Sequence, residues 1–441
     1  MNKQAWMDYA KKEGFTAFEI YQSSSKSTEM TWYRGKMDTF VTSDVTGTAL
    51  RGVYNERMVN LATESPDDSA MEETIANMKE QAMAVTSEDE AIIRNPMDVT
   101  VTPANKAFKK PTEQQVKELL STLEQKILAY DKRIIMVNRL AFEEETSTRS
   151  IVNTNGVNLS SETTAQMVVA EIAAAEGNVI KNDYSIDLVE DVTTYDHDAW
   201  VKKICDNVLA KLDGVSMSSG TYKTIFEKDA MTSLFTAFSG MFSGETISKG
   251  ISPLKDSVGK KVFSDKISIV DDPQSKDALS AVDFDDEGCA CTKKDVVRDG
   301  VFTTVLHNSR TAAKMHTEST GNGFKGGYAS TVGVSMMNCC IVPGTKSLED
   351  MCKDMGEGLV ITELEGLHAG LNTVTGDFSL QCAGYYVKDG KRDHSIALIT
   401  VAGNFLDMLN HVVEVGNDID WKYKRIVTPS IAFEGCAISG E

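Results

Sequence analysis

The sequence predicts an α+β protein, with an N-terminal α/β half of helices packed on largely antiparallel sheet and a β-rich C-terminal half approaching a barrel or sandwich. Three observations carry this reading. Amphipathic stripes crowd into the first 214 residues, where they alternate with strand-like runs. Helical signals become sparse beyond that point. The segment Gly356 to Lys391 then places Gly356, Gly358, Gly366, Gly370, Gly376, Gly384 and Gly390 between short β-branched or aromatic runs. Glycine at this density lets backbone take positive φ and approach other backbone closely. Leu359–Thr362 and Tyr385–Val387 read as strands, and Thr375-Gly376-Asp377-Phe378-Ser379 as a turn that aims polar groups outward.

Residues 1–214 form the first domain, with sub-parts 1–95 and 112–214. Trp6 to Lys12 suggests a helix, followed by strands at Phe15–Tyr21, Met30–Tyr33 and Gly47–Tyr54. Ser65 is a suitable N-cap for a helix whose inward face is Met71, Ile75, Met78, Ala82 and Val85, with Pro66, Asp67 and Asp68 favouring its first turn. Polar sequence without a period, punctuated by Pro96, Pro103 and Pro111, marks a linker at 96–111. Thr112 with Gln115 makes a capping box for a helix carrying Val116, Leu119, Leu123, Ile127 and Tyr130 inward. Strands follow at Arg133–Val137, Leu140–Glu143, Arg149–Val157 and Ala165–Ala170, and Asn155-Gly156 signals a hairpin. A helix over Asp196 to Leu212 ends at Gly214, placed as a C′ glycine, and this is the domain boundary. Residues 215–441 open with a strand at Tyr222–Phe226 and a helix capped by Asp229, carrying Leu234, Phe235 and Phe238. Later helical signals are few, chiefly Ser347–Met355 and Phe405–Val413.

Composition narrows the function classes. At 41% hydrophobic and 25% charged residues, the 441-residue chain is an ordinary globular protein. No apolar run approaches the ~20 residues that span a bilayer, and the N-terminus lacks a signal-peptide core, so a cytoplasmic location is expected. A formal charge of −20 repels a phosphate backbone, which argues against direct nucleic-acid binding. The eight cysteines show no framework and read as free thiols, although Cys289-Ala290-Cys291 is a candidate soft-metal pair and Cys339-Cys340 a candidate redox pair. None of the six histidines has another His or Cys at helical ligand spacing, and no HExxH, GxSxG, Walker A or GxGxxG motif occurs. Phe284-Asp285-Asp286-Glu287-Gly288 is a carboxylate cluster, open to reading as a solvated turn, a cation site or a surface for basic groups.

The ordered set is more informative than any member. Arg34-Gly35-Lys36, Arg51-Gly52-Val53 and Asn153-Thr154-Asn155-Gly156 precede the acidic cluster. Asp299-Gly300-Val301-Phe302, Ser319-Thr320-Gly321-Asn322-Gly323, Asn338, Gly358–Thr362 and Gly366-Leu367-His368 follow it. Thr375–Ser379, Ala402-Gly403-Asn404, Gly416-Asn417-Asp418, Pro429 and Ile438-Ser439-Gly440 complete the series. In this order and spacing the chain resembles the TldD/PmbA family, once called modulators of DNA gyrase, over essentially its whole length.

The resemblance implies a cytosolic peptidase system built from two related chains. The TldD-type subunit carries a His-Glu-x-x-x-His helix and a distant cysteine that hold zinc, with the glutamate as general base. The corresponding helix here reads Leu234 to Met241, with Thr236 and Met241 at the histidine positions and Ala237 at the glutamate's. No cysteine lies between His411 and Pro429. The chain therefore resembles the TldE/PmbA-type subunit, which has no catalytic or metal residues of its own. It is expected to pair with a zinc-bearing TldD-type partner, or with itself, around unfolded or small peptides. Thr320, Asn322 and Asp377 are expected to touch substrate or partner. Two alternatives stay open: a free-standing hydrolase using another site, and a regulator acting on gyrase through protein–protein contact.

Overall fold

The computed structural model describes residues 1–64, 66–87 and 89–441. Six strands build the N-terminal half: β1 (Ala17–Tyr33), β2 (Lys36–Tyr54), β3 (Arg57–Thr63), β4 (Ile134–Asn153), β5 (Asn158–Glu176) and β6 (Val179–Leu188). They form one antiparallel sheet in the order β3-β2-β1-β4-β5-β6. Several expected short strands are single long ones. Phe15–Tyr21 and Met30–Tyr33 largely fall within the 17-residue β1, and the runs from 133 to 153 merge into the 20-residue β4. The polar middles, such as Ser23–Thr28, show no hydrophobic alternation, and the ladder to both neighbours keeps them extended. Strands β3 and β6 were not expected from their weak patterns. The β1–β2 turn places Arg34 and Gly35 at φ 50° and 77°, as a two-residue hairpin requires.

Four helices cover one face of this sheet: α1 (Lys3–Lys12), α2 (Met71–Ala84), α3 (Glu113–Tyr130) and α4 (His197–Asp213). The first two pack on Phe18 and Ile20, the second two on Met30 and Trp32. These β1 residues are all even-numbered, so the odd-numbered face, with Glu19 and Tyr21, turns away from the helices. The Thr112/Gln115 capping box is present with both hydrogen bonds. Tyr130, expected inward, is exposed, its hydroxyl donating to Asp206 at 2.6 Å. Ser65, the expected cap of α2, lies outside the described residues; Asp67 caps a 3-10 turn, Asp68–Ala70, that leads into the helix. Gly214 is not a left-handed C′ residue, since its φ is −66°. A Cβ there would lie 2.6 Å from that of Ala397, so the glycine is needed for close approach to the other half. Residues 89–111 form neither helix nor strand and are pinned to the C-terminal half. Asn105 donates to the carbonyls of Ser275 and Ala278, and Thr102 donates twice to Asp283.

The C-terminal half begins with β7 (Gly220–Phe226), α5 (Lys228–Phe238), a 3-10 turn over Ser239–Phe242 and α6 (Gly244–Ser248). Next come β8 (Ile269–Asp271), β9 (Lys294–Arg298), β10 (Val301–Phe302) and α7 (Ser309–Lys314). The hairpin of β11 (Gly323–Lys325) and β12 (Val332–Val334) leads to β13 (Cys339–Ile341) and α8 (Leu348–Met355). Then follow β14 (Gly358–Glu365), β15 (Asp377–Lys388), β16 (Lys391–Asn404) and α9 (Phe405–Asn410). Strands β17 (Val412–Val415), β18 (Ile426–Val427) and β19 (Ile431–Ser439) end the chain.

Pairing of β16 with β19 closes β7, β14, β15, β16 and β19 into a five-stranded barrel. Of the two architectures expected, the barrel is the one formed. A second sheet, β10-β9-β8-β13-β18, packs into the same core. Register shifts in β14, β15 and β19 supply the bends that closure needs. Gly384 sits at one of them, where a Cβ would be 1.8 Å from the carbonyl oxygen of Val360. Leu234, Phe235 and Phe238 of α5 are buried against the barrel. Glu227, not Asp229, caps that helix, its carboxylate accepting from the Asp229 N–H. The helix expected over Phe405–Val413 stops at Asn410, and Val412–Val415 continues as strand. Among the described residues, no helix is long and apolar enough to cross a membrane.

Candidate functional site

Helix α5 ends at Phe238, so Met241 lies in the following 3-10 turn. Thr236 is exposed, Ala237 half-buried and Met241 only 3% exposed, within the core. These side chains do not converge, and an alanine methyl and a buried thioether do not fit a zinc centre. Among the described residues no group of three His, Cys, Asp or Glu side chains has metal-site geometry. The end of α5 does have polar company. Phe405 stacks on Phe238 at 4.8 Å, and Phe378 meets it edge-on at 6.4 Å, so Asp377 and Asn404 lie nearby. Asp377 is exposed and held by the Thr375 hydroxyl at 2.6 Å and the Asn404 amide at 2.9 Å. Those two donors, in that order, hold its carboxyl below the usual range.

Asn322 is the main correction among the expected contact residues. It is fully buried rather than displayed. Its amide donates to Asp271 at 2.8 Å and to the Ser335 carbonyl at 2.9 Å, while its oxygen accepts from Thr320 and Lys294. Asp271 also takes the Met337 N–H at 2.6 Å and pairs with Lys294 at 3.1 Å. The glycines around Asn322 allow a tight internal crossing, not an exposed loop. Thr320 is half-buried and accepts from the His307 N–H at 2.7 Å. His307 is itself buried, which pushes its pKa down and keeps the ring neutral.

The acidic cluster is not a solvated turn: Asp285, Asp286 and Glu287 are at most 4% exposed. They form the joint between the two halves of the chain. Arg51 on β2 binds Glu19 on β1 through Nε at 2.7 Å and reaches Glu287 at 3.3 Å. Arg149 on β4 pairs with Asp286 at 2.9 Å, donates to the Phe284 carbonyl at 2.6 Å and lies 4.5 Å over the Phe284 ring. Asp285 accepts three backbone N–H groups, from Glu287, Cys289 and Gly323, each at 2.9 Å. The signal for this joint was two arginines on the outward face of the strands that flank β1, each amid small or apolar residues.

The cysteines behave as small core residues. Cys289 and Cys291 are buried free thiols, and Cys291 donates to the Gly321 carbonyl at 3.1 Å. Burial pushes the Cys340 thiol up to about 11 and that of its neighbour Cys339 well above the ordinary thiol range, away from the reactive thiolate.

Comparison with known proteins places this geometry. Residues 219–440 match the PmbA/TldA metallopeptidase C-terminal domain, 106–212 its central domain and 18–84 its domain 1. The chain belongs to the PmbA/TldD metallopeptidase family. Within that family, the metalloprotease PmbA of Escherichia coli O157:H7 is 30% identical over 325 residues, 74% of this chain and 69% of that protein. A TldD homologue of Buchnera aphidicola is 27% identical over 223 residues, half of this chain and 46% of its own length. The longer match makes this a PmbA/TldE-type member of the PmbA/TldD family. A Thermotoga maritima structure described as a candidate modulator of a DNA gyrase superposes with a TM-score of 0.85 at 27% identity, covering 99% of both chains. TldE from Thermococcus kodakarensis shares the fold, with a TM-score of 0.88 at 24% identity over 99% of this chain and 100% of its own.

Proposed function

We propose that this chain is the non-catalytic subunit of a two-chain cytoplasmic peptidase whose zinc is held by a TldD-type partner. The observation that carries the proposal is the trio Thr236, Ala237 and Met241. At the positions corresponding to the family's metal helix, the chain has neither a base nor two nitrogen ligands, and one of the three side chains is core. A domain of this kind contributes walls: it completes and encloses the partner's site and limits entry to unfolded or small peptides. The exposed Asp377 turn beside α5 is the proposed contact with partner or substrate.

The test is zinc content and activity. The chain purified alone, without a metal-binding tag, should carry less than about a tenth of an equivalent of zinc and cleave no unfolded peptide. Mixing it with a TldD-type chain should produce a complex by size-exclusion chromatography and peptide cleavage that neither chain shows alone. Stoichiometric zinc with activity in the isolated chain would overturn the proposal in favour of a free-standing hydrolase.

A further inference from the structure

A cavity of about 520 Å³ lies between the outward face of the N-terminal sheet and the C-terminal half. One wall follows from strand register. Ser23 pairs with Arg149, Ser147 with Thr163 and Arg149 with Ser161, so these side chains share one face of β1, β4 and β5. That wall is rich in hydroxyls, contributed by the polar middles of the three strands. The other wall includes Phe324, Met337 and Arg425.

Arg425 distinguishes this cavity from an ordinary domain seam. Its guanidinium meets only neutral acceptors, Ser280 Oγ at 3.4 Å and Asn338 Oδ1 at 3.3 Å, and among the described residues no carboxylate pairs with it. Burial, and then the neighbouring Arg149 cation, both work against its charge. The other charges facing the cavity are already engaged. Arg149 is paired with Asp286, and the Glu145 carboxylate accepts from the Ser25 and Ser147 hydroxyls. A half-buried guanidinium without a carboxylate partner, at the wall of a solvent-open cavity of mixed lining, is placed to receive one, and its planar donor fork matches a carboxylate.

We infer that this cavity is a binding site for a short peptide, anchored through a carboxylate to Arg425, with the serine and threonine hydroxyls of the sheet face bonding its backbone. The volume suits a ligand of a few residues. The carboxylate can be the peptide's C-terminus or an acidic side chain. The site lies wholly within this chain and needs no TldD-type partner, so its failure leaves the subunit proposal standing.

The experiment is calorimetric titration of the full chain with N-acetyl-Ala-Ala-Ala, its C-terminal amide, and the amide of N-acetyl-Ala-Glu-Ala. At least about tenfold tighter binding of a carboxylate-bearing peptide than of the tri-alanine amide is expected. The free-acid and glutamyl peptides tell the two carboxylate sources apart. Arg425→Gln should abolish the preference. Because Arg425 also braces Ser280 and Asn338, Thr163→Phe, which fills the cavity from the opposite wall, should give the same loss with an unchanged thermal midpoint. Binding of neither carboxylate-bearing peptide more tightly than of the tri-alanine amide, retained preference in both variants, or binding of inorganic phosphate but of no peptide would overturn the inference.

Discussion

Arg51 and Glu287 are 236 residues apart in sequence, yet their side chains form a buried ion pair at 3.3 Å across the joint between the two halves of the chain. Glu19 shares the same guanidinium, so one cation serves two buried carboxylates. Removing a partner from such a pair leaves charge in a low-dielectric setting, where the cost exceeds that of losing a surface bridge. Arg51→Met should therefore destabilise the protein by about 3–5 kcal/mol in urea denaturation. A loss below about 1 kcal/mol would mean that the joint does not depend on this pair.

The joint should also make stability depend on pH. Asp285 is fully buried, and burial, followed by the charge of Glu287, pushes its carboxyl up from 3.8 to about 7 against its three N–H donors. The unfolded chain releases this proton near pH 4, whereas the folded chain keeps it to about 7, so the folded state binds more protons in between. The contribution is present in full below the unfolded value and is lost as pH rises through the folded one. Asp285→Asn should flatten the fall in stability between about pH 4 and 7, followed by urea midpoints across that range. An identical slope in the variant would assign the proton elsewhere.

Asn322 and Asp377 carry similar polar groups in opposite settings. Asn322→Ala leaves Asp271 short of a donor inside the protein and should cost about 1–3 kcal/mol of stability or more. Asp377→Asn, at an exposed turn, should change stability by no more than about 0.5 kcal/mol. Its effect should appear in complex formation or cleavage with the TldD-type chain. Thermal melts of the two variants, measured side by side, separate the roles.

A comparable contrast holds at the end of α5. Met241→Ala opens a cavity in the main core and should cost about 2–5 kcal/mol. Thr236→Ala, on the exposed side of α5, should stay within about 0.5 kcal/mol. Equal effects would show that Met241 is not packed as described.

Features that depend on near neighbours in the chain were legible in the sequence. The Thr112 capping box, the buried stripes of α3 and α4, the Asn155-Gly156 hairpin and the strands Leu359–Thr362 and Tyr385–Val387 each rest on local patterns that need no tertiary partner. Family membership was legible for a related reason: the order and spacing of glycine and polar motifs persist along the chain without being folded. The lengths of β1 and β4 were not, because their polar middles are held extended by ladders to strands up to more than a hundred residues away.

The sequence by itself determined the existence of helices α1 to α5 and α8, the Asn155-Gly156 turn, the α+β class and the absence of histidine or glutamate at Thr236, Ala237 and Met241. Only the tertiary structure decided that β16 meets β19 to close a barrel, that Asn322 is buried while Asp377 is displayed, and that Asp285, Asp286 and Glu287 join the two halves instead of facing water. The physical reason is range. Helix periodicity and turn chemistry act over a few residues, whereas the environment of a carboxylate is set by whichever cation the fold brings to it, and here Arg51 and Arg149 arrive from strands far away in sequence.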